Sequence, residues 1–382
     1  MKKLAIIGAS YLQEPLIQKA KQKGIETHVF AWAAGDVGEK SADFFYPISI
    51  VEKDEILAKC REIGIDGICT IASDLAVITV NYVANALGLI ANSMEATIKS
   101  TNKHEMRKCF EEHGDPSPKS FLVETAADLE GKDISYPVIV KPLDRSGSRG
   151  ITKLESPEGL AEAIENAKAE GFDKHALVEE FAEGDEYSVE YISWRGKHTF
   201  LALTKKYTTG APHFIETGHV QPADVTEAVL AQVKAYASHA LDSLGIEFGA
   251  SHIELKIDKD GNIKLIEIGG RMGGDLIGSA LVELSTGFDF VGAVIDIALG
   301  KAPEIVHTIG SYCAVRFIFN KEDVETYEAF AKKHPKALVE ADIREVTEGE
   351  VTDSGKRFGY YLIATKNQDE FINCLTEILN KV

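Results

Sequence analysis

The stretch Ser251–Ile268 constrains the fold more than any other part of the chain. Ser251-His252-Ile253-Glu254-Leu255-Lys256-Ile257-Asp258 alternates polar with apolar residues, as does Ile263-Lys264-Leu265-Ile266-Glu267-Ile268, and Asp260-Gly261 between them is a hairpin turn signal. A two-residue loop pairs Lys259 with Asn262, and counting outward places Glu254 opposite Glu267; a symmetric four-residue loop gives the same pairing. Opposed side chains have Cβ atoms about 4.5–5.5 Å apart, and like charges at that distance destabilise a sheet unless something compensates them. The simplest compensation is a hard divalent cation. Magnesium takes one or two carboxylates plus substrate phosphates, so the pair points to a nucleotide-bound metal; the alternative is two solvated carboxylates splayed apart.

With 382 residues the chain has room for two or three domains. It carries 41 Lys plus Arg against 60 Asp plus Glu, a net charge of -19, and no block of basic residues. Such a charge repels a phosphate backbone or an anionic membrane, so neither nucleic acid nor membrane is expected as a partner. Cys60, Cys69, Cys109, Cys313 and Cys374 are odd in number and form no C-x-x-C, which indicates neither a disulfide framework nor a zinc site and fits a cytoplasmic protein. Met1-Lys2-Lys3-Leu4 runs straight into a short apolar strand pattern rather than a signal peptide's long apolar region.

The first ninety or so residues alternate strand and helix patterns: Leu4–Ile7, Glu14–Lys23, Thr27–Phe30, Lys53–Ile63, Gly67–Thr70 and Leu75–Leu87. That order predicts a parallel sheet with right-handed crossovers. The first turn, Gly8-Ala9-Ser10-Tyr11-Leu12-Gln13, lacks the second and third glycines of a dinucleotide fingerprint. Ser73-Asp74 sits at a strand's carboxyl end, where Asp74 either caps the next helix or meets a substrate.

Pro116 and Pro118 end the helix that begins near Asn102 and mark the start of a smaller lobe. Its strand Tyr136-Pro137-Val138-Ile139-Val140-Lys141-Pro142 ends in a lysine and is followed at once by Leu143-Asp144-Arg145-Ser146-Gly147-Ser148-Arg149-Gly150, small residues whose N–H groups can cradle phosphate. A strand, an acidic turn and a second strand follow from Ala176 to Glu190.

Taken in order, Lys103, the V-I-V-K-P lysine Lys141, the S-G-S-R-G loop, V-E-E-F, G-D-E-Y-S-V-E, E-T-G-H and the pair Glu254/Glu267 with Arg271 resemble the ATP-grasp superfamily over roughly residues 90–300. The resemblance implies an α/β and α+β architecture: an N-terminal parallel α/β domain over 1–92, an ATP-grasp domain over 93–305 with a small nucleotide-lid lobe at about 118–190 and a larger antiparallel-sheet lobe, and a C-terminal α/β module over 306–382. It also implies that Lys103 and Lys141 contact nucleotide phosphates, that Ser146, Gly147, Ser148 and Gly150 fold over them, and that backbone at Glu179, Glu180 and Phe181 reads the adenine edge. Glu186 would accept from the ribose hydroxyls, and Glu254 and Glu267 would hold magnesium, with manganese as a substitute.

One position departs from the commonest family pattern. Where many members have Glu-x-Asn-x-Arg, this chain has Glu267-Ile268-Gly269-Gly270-Arg271, so the usual amide ligand is missing: either a water or the nucleotide fills that position, or a second metal is held more weakly. Arg271 leads through Met272-Gly273-Gly274-Asp275 toward a helix expected at Leu276–Leu284, so backbone amides and a guanidinium can converge on one anion; alternatively Arg271 pairs with a neighbouring acid. In His213-Phe214-Ile215-Glu216-Thr217-Gly218-His219, His219 is favoured over His213 for phosphate contact.

These parts suit an ATP- and magnesium-dependent ligase that activates a small carboxylate as an acyl phosphate for attack by an amine, with Arg271, His219 and Lys141 as its catalytic residues. Carbamoyl-phosphate-synthetase-like and phosphoribosylglycinamide-type ligases share these motifs, and a non-catalytic nucleotide-binding regulatory protein is the alternative of another class. The segment beyond 306 reads as strand Ser311–Phe319, helix Glu322–Lys333, strand Phe358–Ala364 and helix Asn367–Leu379, a lid or the support of a homodimer, with Arg316 either reaching substrate or held in a salt bridge.

Overall fold

The computed structural model describes residues 1–144, 150–210, 214–306, 308 and 310–379. Three sheets follow one another along the chain. The first is parallel, with β1 (Lys3–Ile7), β2 (Glu26–Phe30), β3 (Phe44–Tyr46) and β4 (Gly67–Cys69) in the order β3-β2-β1-β4. Its apolar strands are buried on both faces, as a sheet flanked by crossover helices requires. The short strand β3 and the helix Val37–Ser41 were not legible in the sequence pattern.

The second sheet is antiparallel: β5 (Ser120–Val123), β6 (Val138–Pro142), β7 (Thr152–Leu154) and β8 (Ala176–Glu180), in the order β5-β8-β6-β7. Helix Leu160–Glu170 packs on it through Leu160, Ala163, Ile164 and Ala167, spaced at 3–4 residues as one buried helix face demands.

The third sheet has eight strands: β9 (Asp185–Trp194), β10 (Lys197–Thr208), β11 (Glu216–Gln221), β12 (Phe248–Ile257), β13 (Ile263–Gly269), β14 (Tyr312–Phe317), β15 (Leu338–Ile343) and β16 (Gly359–Thr365), in the order β13-β12-β9-β10-β11-β14-β16-β15. The segment beyond 306 therefore continues this sheet, because β14 pairs with β11. One face of the sheet meets helix Glu227–Leu244; the helix Phe290–Ala298 shares an apolar core with both the eight-stranded sheet and the N-terminal lobe. No helix among the described residues is long and apolar enough to cross a membrane.

The hairpin β12–β13 pairs Glu254 with Glu267, but not through the expected turn. Ile257 pairs with Ile263, so the loop is five residues long, held by Asp258 N–H donating to the Asn262 carbonyl at 3.0 Å and by Asp258 Oδ1 accepting from Asp260 and Asn262 at 2.9 Å. That loop shifts the register by one. A β-bulge at Ile266, between Leu255↔Leu265 and Glu254↔Glu267, shifts it back. The helix expected over Leu276–Leu284 is present as a π-helical turn, Ile277–Leu281, that runs directly into the α-helix Val282–Thr286. It is entered through Asp275 and Leu276, both left-handed at φ 50 and 66.

Candidate active site

The three sheets enclose a cavity of about 410 Å³. From the N-terminal lobe come Tyr11, Leu12, Ala72 and Asp74; from the small lobe Ile139, Lys141, Ile151 and Glu179–Ala182; from the large sheet Glu186, Lys206, Glu216, His219, His252, Glu254 and Glu267; and from the last segment Ser354, Gly355 and Arg357. Lys103, from the helix preceding the small lobe, also lines it, as do Arg271 and Asp275 from the loop after β13. Of the sequence-derived candidates, Lys103, Lys141, Glu179, Glu180, Phe181, Glu186, His219, Glu254, Glu267 and Arg271 face this one space. Gly150 does not; its φ of +69 turns the chain beside Glu170 and Pro142, while Ile151 reaches the cavity. Ser146, Gly147, Ser148 and His213 lie outside the described residues.

The bulge decides which side chains of β13 face the cavity. Leu265 and Ile268 stay in the core at 0% exposure, while Ile266 and Glu267 between them both line the cavity. The two carboxylates are compensated by ammonium groups: Lys206 Nζ donates to Glu254 Oε1 at 2.7 Å and Lys103 Nζ to Glu267 Oε1 at 2.9 Å. Lys206 also meets Glu186 at 2.7 Å and Glu216 at 3.7 Å. Burial works against its charge, but the three glutamates raise its pKa well above the ordinary lysine value. Burial likewise opposes ionisation of Glu254, and Lys206 and His252 nonetheless hold it well below the usual carboxylate range.

A second charged group lies under the small lobe. Glu179, buried, has Lys141 Nζ at 2.5 Å and Arg107 Nε at 2.8 Å. Burial would raise the Glu179 pKa, but Arg107 and Lys141 bring it down to about 2. Lys141 itself is lowered, because burial and the neighbouring cations outweigh its attraction to Glu179. Arg107 follows Lys103 by four residues, on the same face of helix Lys103–His113, whose cap Asn102 accepts from His104 and Glu105 N–H. Its Nη2 also donates to the Ile266 carbonyl at 2.6 Å, tying that helix to the bulge. In the expected adenine-reading stretch, Glu180 N–H donates to the Lys119 carbonyl and Phe181 N–H to the Pro137 carbonyl, so both are engaged within the protein.

The glycine-rich loop after β13 is lined underneath by ion pairs. Arg271 Nε donates to Asp74 Oδ1 at 2.8 Å and Nη2 to Asp74 Oδ2 at 2.6 Å. Asp74 is thus not the helix cap; Ser73 Oγ takes that role by accepting from Ala76 N–H. His252 Nδ1 meets Glu190, whose other oxygen accepts the Gly273 N–H at 3.0 Å. Burial disfavours the imidazolium, yet Glu190 raises His252 to about 9. Arg357 holds Asp275 with Nη1 at 2.9 Å and Nη2 at 2.6 Å while its guanidinium covers the Phe317 ring at 3.7 Å. Ala72, Phe214 and Asp275, each a left-handed non-glycine residue, line the same cavity; such backbone costs about 1–3 kcal/mol per residue and persists only where the surroundings fix it.

His219 is 1% exposed, stands edge-on to Phe317, and has Asp275 at 3.9 Å, too far for a hydrogen bond. Burial lowers its pKa, which leaves a neutral imidazole with no hydrogen-bond partner on either nitrogen among the described residues. Arg316 does not reach the cavity: it donates to the Thr217 carbonyl at 3.1 Å and pairs with Asp323 at 3.3 Å. In the first turn of the N-terminal lobe, Gln13 donates to the Ile71 carbonyl and accepts from Ser10. Sequence reasoning missed Arg107, Glu190, Lys206, His252 and Arg357. The alternation Glu186-x-Ser188-x-Glu190 facing His252-x-Glu254-x-Lys256 was the available signal for two of them.

The comparisons with known proteins agree with this architecture. Residues 134–279 match the family model of the ATP-grasp domain. Over these residues the chain carries an ATP-grasp domain. It is similar to the alanine–anticapsin ligase of Bacillus subtilis, with 29% identity over 275 residues, 63% of this chain and 58% of that protein. It is 28% identical over 199 residues to the D-alanine–D-alanine ligase of Halorhodospira halophila, covering 49% of this chain and 63% of the relative. The chain thus spans about three fifths of these relatives' length. Among solved structures, the L-amino acid ligase from Bacillus licheniformis superposes with a TM-score of 0.83 at 22% identity over 100% of this chain and 97% of that one. Phosphoribosylglycinamide synthetase from Anaerococcus prevotii gives 0.79 at 21% identity over 99% and 98%. At such identities these structures establish the fold.

Proposed function

We propose that the protein is an ATP- and magnesium-dependent ligase that joins a small carboxylate to an amine. The observation that carries the reading is the meeting, in one cavity, of Lys103, Lys141 and Lys206 with the opposed carboxylates Glu254 and Glu267. Residues 1–92, 93–305 and 306–382 then serve as scaffold, nucleotide-binding unit and closing segment. Five buried free thiols, Cys60, Cys69, Cys109, Cys313 and Cys374, support a cytoplasmic setting.

The donor set is hard oxygen on two adjacent strands, which fits magnesium. Glu254 and Glu267 would hold it, and when bound it neutralises charge on the phosphate oxygens. Lys103 and Lys141 would balance the nucleotide phosphates, Glu186 the ribose hydroxyls, and the carbonyls around Glu179–Phe181 the adenine edge. A substrate carboxylate oxygen attacks the γ-phosphorus, the bond to the β-phosphate oxygen breaks, and ADP leaves. The amine then attacks the acyl carbon of the acyl phosphate, loses a proton, and expels phosphate. Arg271 and the neutral His219 would stabilise the anionic groups as they move, a task of positioning and charge rather than covalent catalysis.

A magnesium-dependent phosphate-release screen over pooled amino acids and small carboxylates tests the reading. Phosphate release requiring both a carboxylate and an amine is expected. Tight ATP binding with no release from any pair would favour a regulatory nucleotide-binding protein instead.

A further inference from the structure

Gly269 has no side chain, and the space beside its Cα is occupied by Asp74 and Arg271. A Cβ built at Gly269 would lie 2.5 Å from Asp74 Oδ1, 3.1 Å from Arg271 Nε and 3.2 Å from Arg271 Cζ. We propose that Asp74 is a positioning residue of this site, acting through Arg271, and that glycine at 269 is what admits the pair.

The loop that carries Arg271 cannot orient it alone. Gly269, Gly270, Gly273 and Gly274 surround it, and glycine backbone fixes a neighbouring side chain poorly. Both contacts of the fork come from another lobe: Asp74 opens helix Asp74–Leu87, so its carboxylate sits at a helix N-terminus, where negative charge is favoured. Two parallel hydrogen bonds, at 2.8 and 2.6 Å, fix the guanidinium plane as well as its position. The same two loops are tied once more by Ala72 N–H donating to the Met272 carbonyl at 3.2 Å, from a left-handed Ala72 with φ 59. Arg271 Nη1 remains only loosely engaged, 3.4 Å from the Met272 carbonyl, and Arg271 lines the cavity. The arrangement therefore holds one edge of the fork in the protein and leaves the other for an anion. A residue with a Cβ at 269 would force the Asp74 carboxylate to shift from its present place.

The consequence for turnover rests on the ligase reading, whereas the seating of the pair does not, and two arms of one experiment separate them. In the first, Gly269→Asn is made in the wild type and in Asp74→Ala, and melting temperatures are compared. The substitution should lower the wild-type value by about 1–4 °C through overpacking and cost markedly less once Asp74 is gone. Equal costs in both backgrounds would overturn the proposal. In the second, Asp74→Asn, Arg271→Lys and the double variant are assayed for phosphate release with the twenty pooled amino acids, and for binding of magnesium with a non-hydrolysable ATP analogue by calorimetry. Asp74→Asn should reduce release about tenfold or more with analogue affinity within about twofold, and should add no loss to Arg271→Lys. Multiplying losses, or a matching loss of analogue affinity, would show that Asp74 only supports the fold. Should the wild type release no phosphate, the ligase reading falls and the melting arm alone upholds or overturns the pairing.

Discussion

Glu179→Gln removes one charge from the buried group under the small lobe and keeps its shape. Arg107 and Lys141 then face each other with a neutral amide between them, at 4% and 5% exposure. Breaking a buried ion pair by removing one partner costs about 3–5 kcal/mol, because the charges left behind have no water. An upper bound follows from Lys141, which can escape by losing its proton: taking a lysine from 10.5 to neutral at pH 7 costs about 5 kcal/mol at 1.36 per pH unit. A lower value follows from the carboxylate. Moving its pKa from 4.5 to about 2 is worth about 3 kcal/mol on the same scale. A chain of 382 residues unfolds with about 0.8 kcal/mol per kelvin of entropy, so 3–5 kcal/mol corresponds to a melting decrease of about 4–6 °C. The pH dependence gives a second check. A carboxylate whose pKa is depressed in the folded state contributes stability that is complete above 4.5 and lost as pH falls toward about 2. The gap between wild type and variant, measured by urea unfolding, should therefore narrow by about 2 kcal/mol between pH 7 and pH 3. A gap below about 1 kcal/mol at pH 7, or one that does not narrow in acid, would refute the reasoning.

Three further outcomes are expected. Lys141→Ala should weaken ATP far more than adenosine in calorimetric titrations, since the lysine's proposed partner is phosphate; equal losses would mean that it only shapes the pocket. Glu267→Gln should abolish magnesium-dependent phosphate release while leaving the circular dichroism spectrum unchanged, and full activity in this variant would remove the metal assignment. Gly273→Ala brings a Cβ within 2.6 Å of Glu190 Oε1 and 2.7 Å of His252 Nδ1, so it should destabilise the protein by about 1–3 kcal/mol in urea unfolding. An unchanged midpoint would show that the Glu190–His252 pair moves aside freely.

Local pattern was enough to read the N-terminal crossovers, the strand that ends in Lys141 and the helix that starts beside Asn102, because each is set by periodicity, a cap or a turn within about a dozen residues. Lys206 and Arg357 were not readable for the opposite reason. Lys206 lies in the interior of a twelve-residue strand whose polar run resembles a solvated edge, and it becomes a buried counter-ion only when β10 is placed between β9 and β11. Arg357 reaches Asp275 from 82 residues away because β16 joins the sheet beside β14. The sequence pattern gave the last segment a lid-like module of its own, and sheet order is what carries its arginine into the cavity. The second strand of that segment, β15, has four exposed residues in its interior and presents no apolar alternation to detect.

The hairpin shows how a correct pairing can follow from an incomplete argument. Equal counting on both sides of Asp260-Gly261 assumes that both strands run without interruption, and under that assumption a five-residue loop would place Glu254 opposite Ile266. The core would then keep Leu255 against Leu265 and Ile257 against Ile263. Beyond them, however, continued pairing by one-residue offset would set Ile253 against Glu267 and drive a carboxylate toward the apolar side. The single extra residue at Ile266 removes that conflict: Ile253 meets Ile268, both at 0% exposure, and Glu267 turns to the cavity opposite Glu254. A one-residue change of register inverts every side chain of a strand, so the apolar alternation on each side of the bulge selects the bulge itself. The alternation failed at Leu265-Ile266 in the sequence, where two apolar residues stand together, and that break was the visible trace of the feature that faces the two carboxylates toward each other.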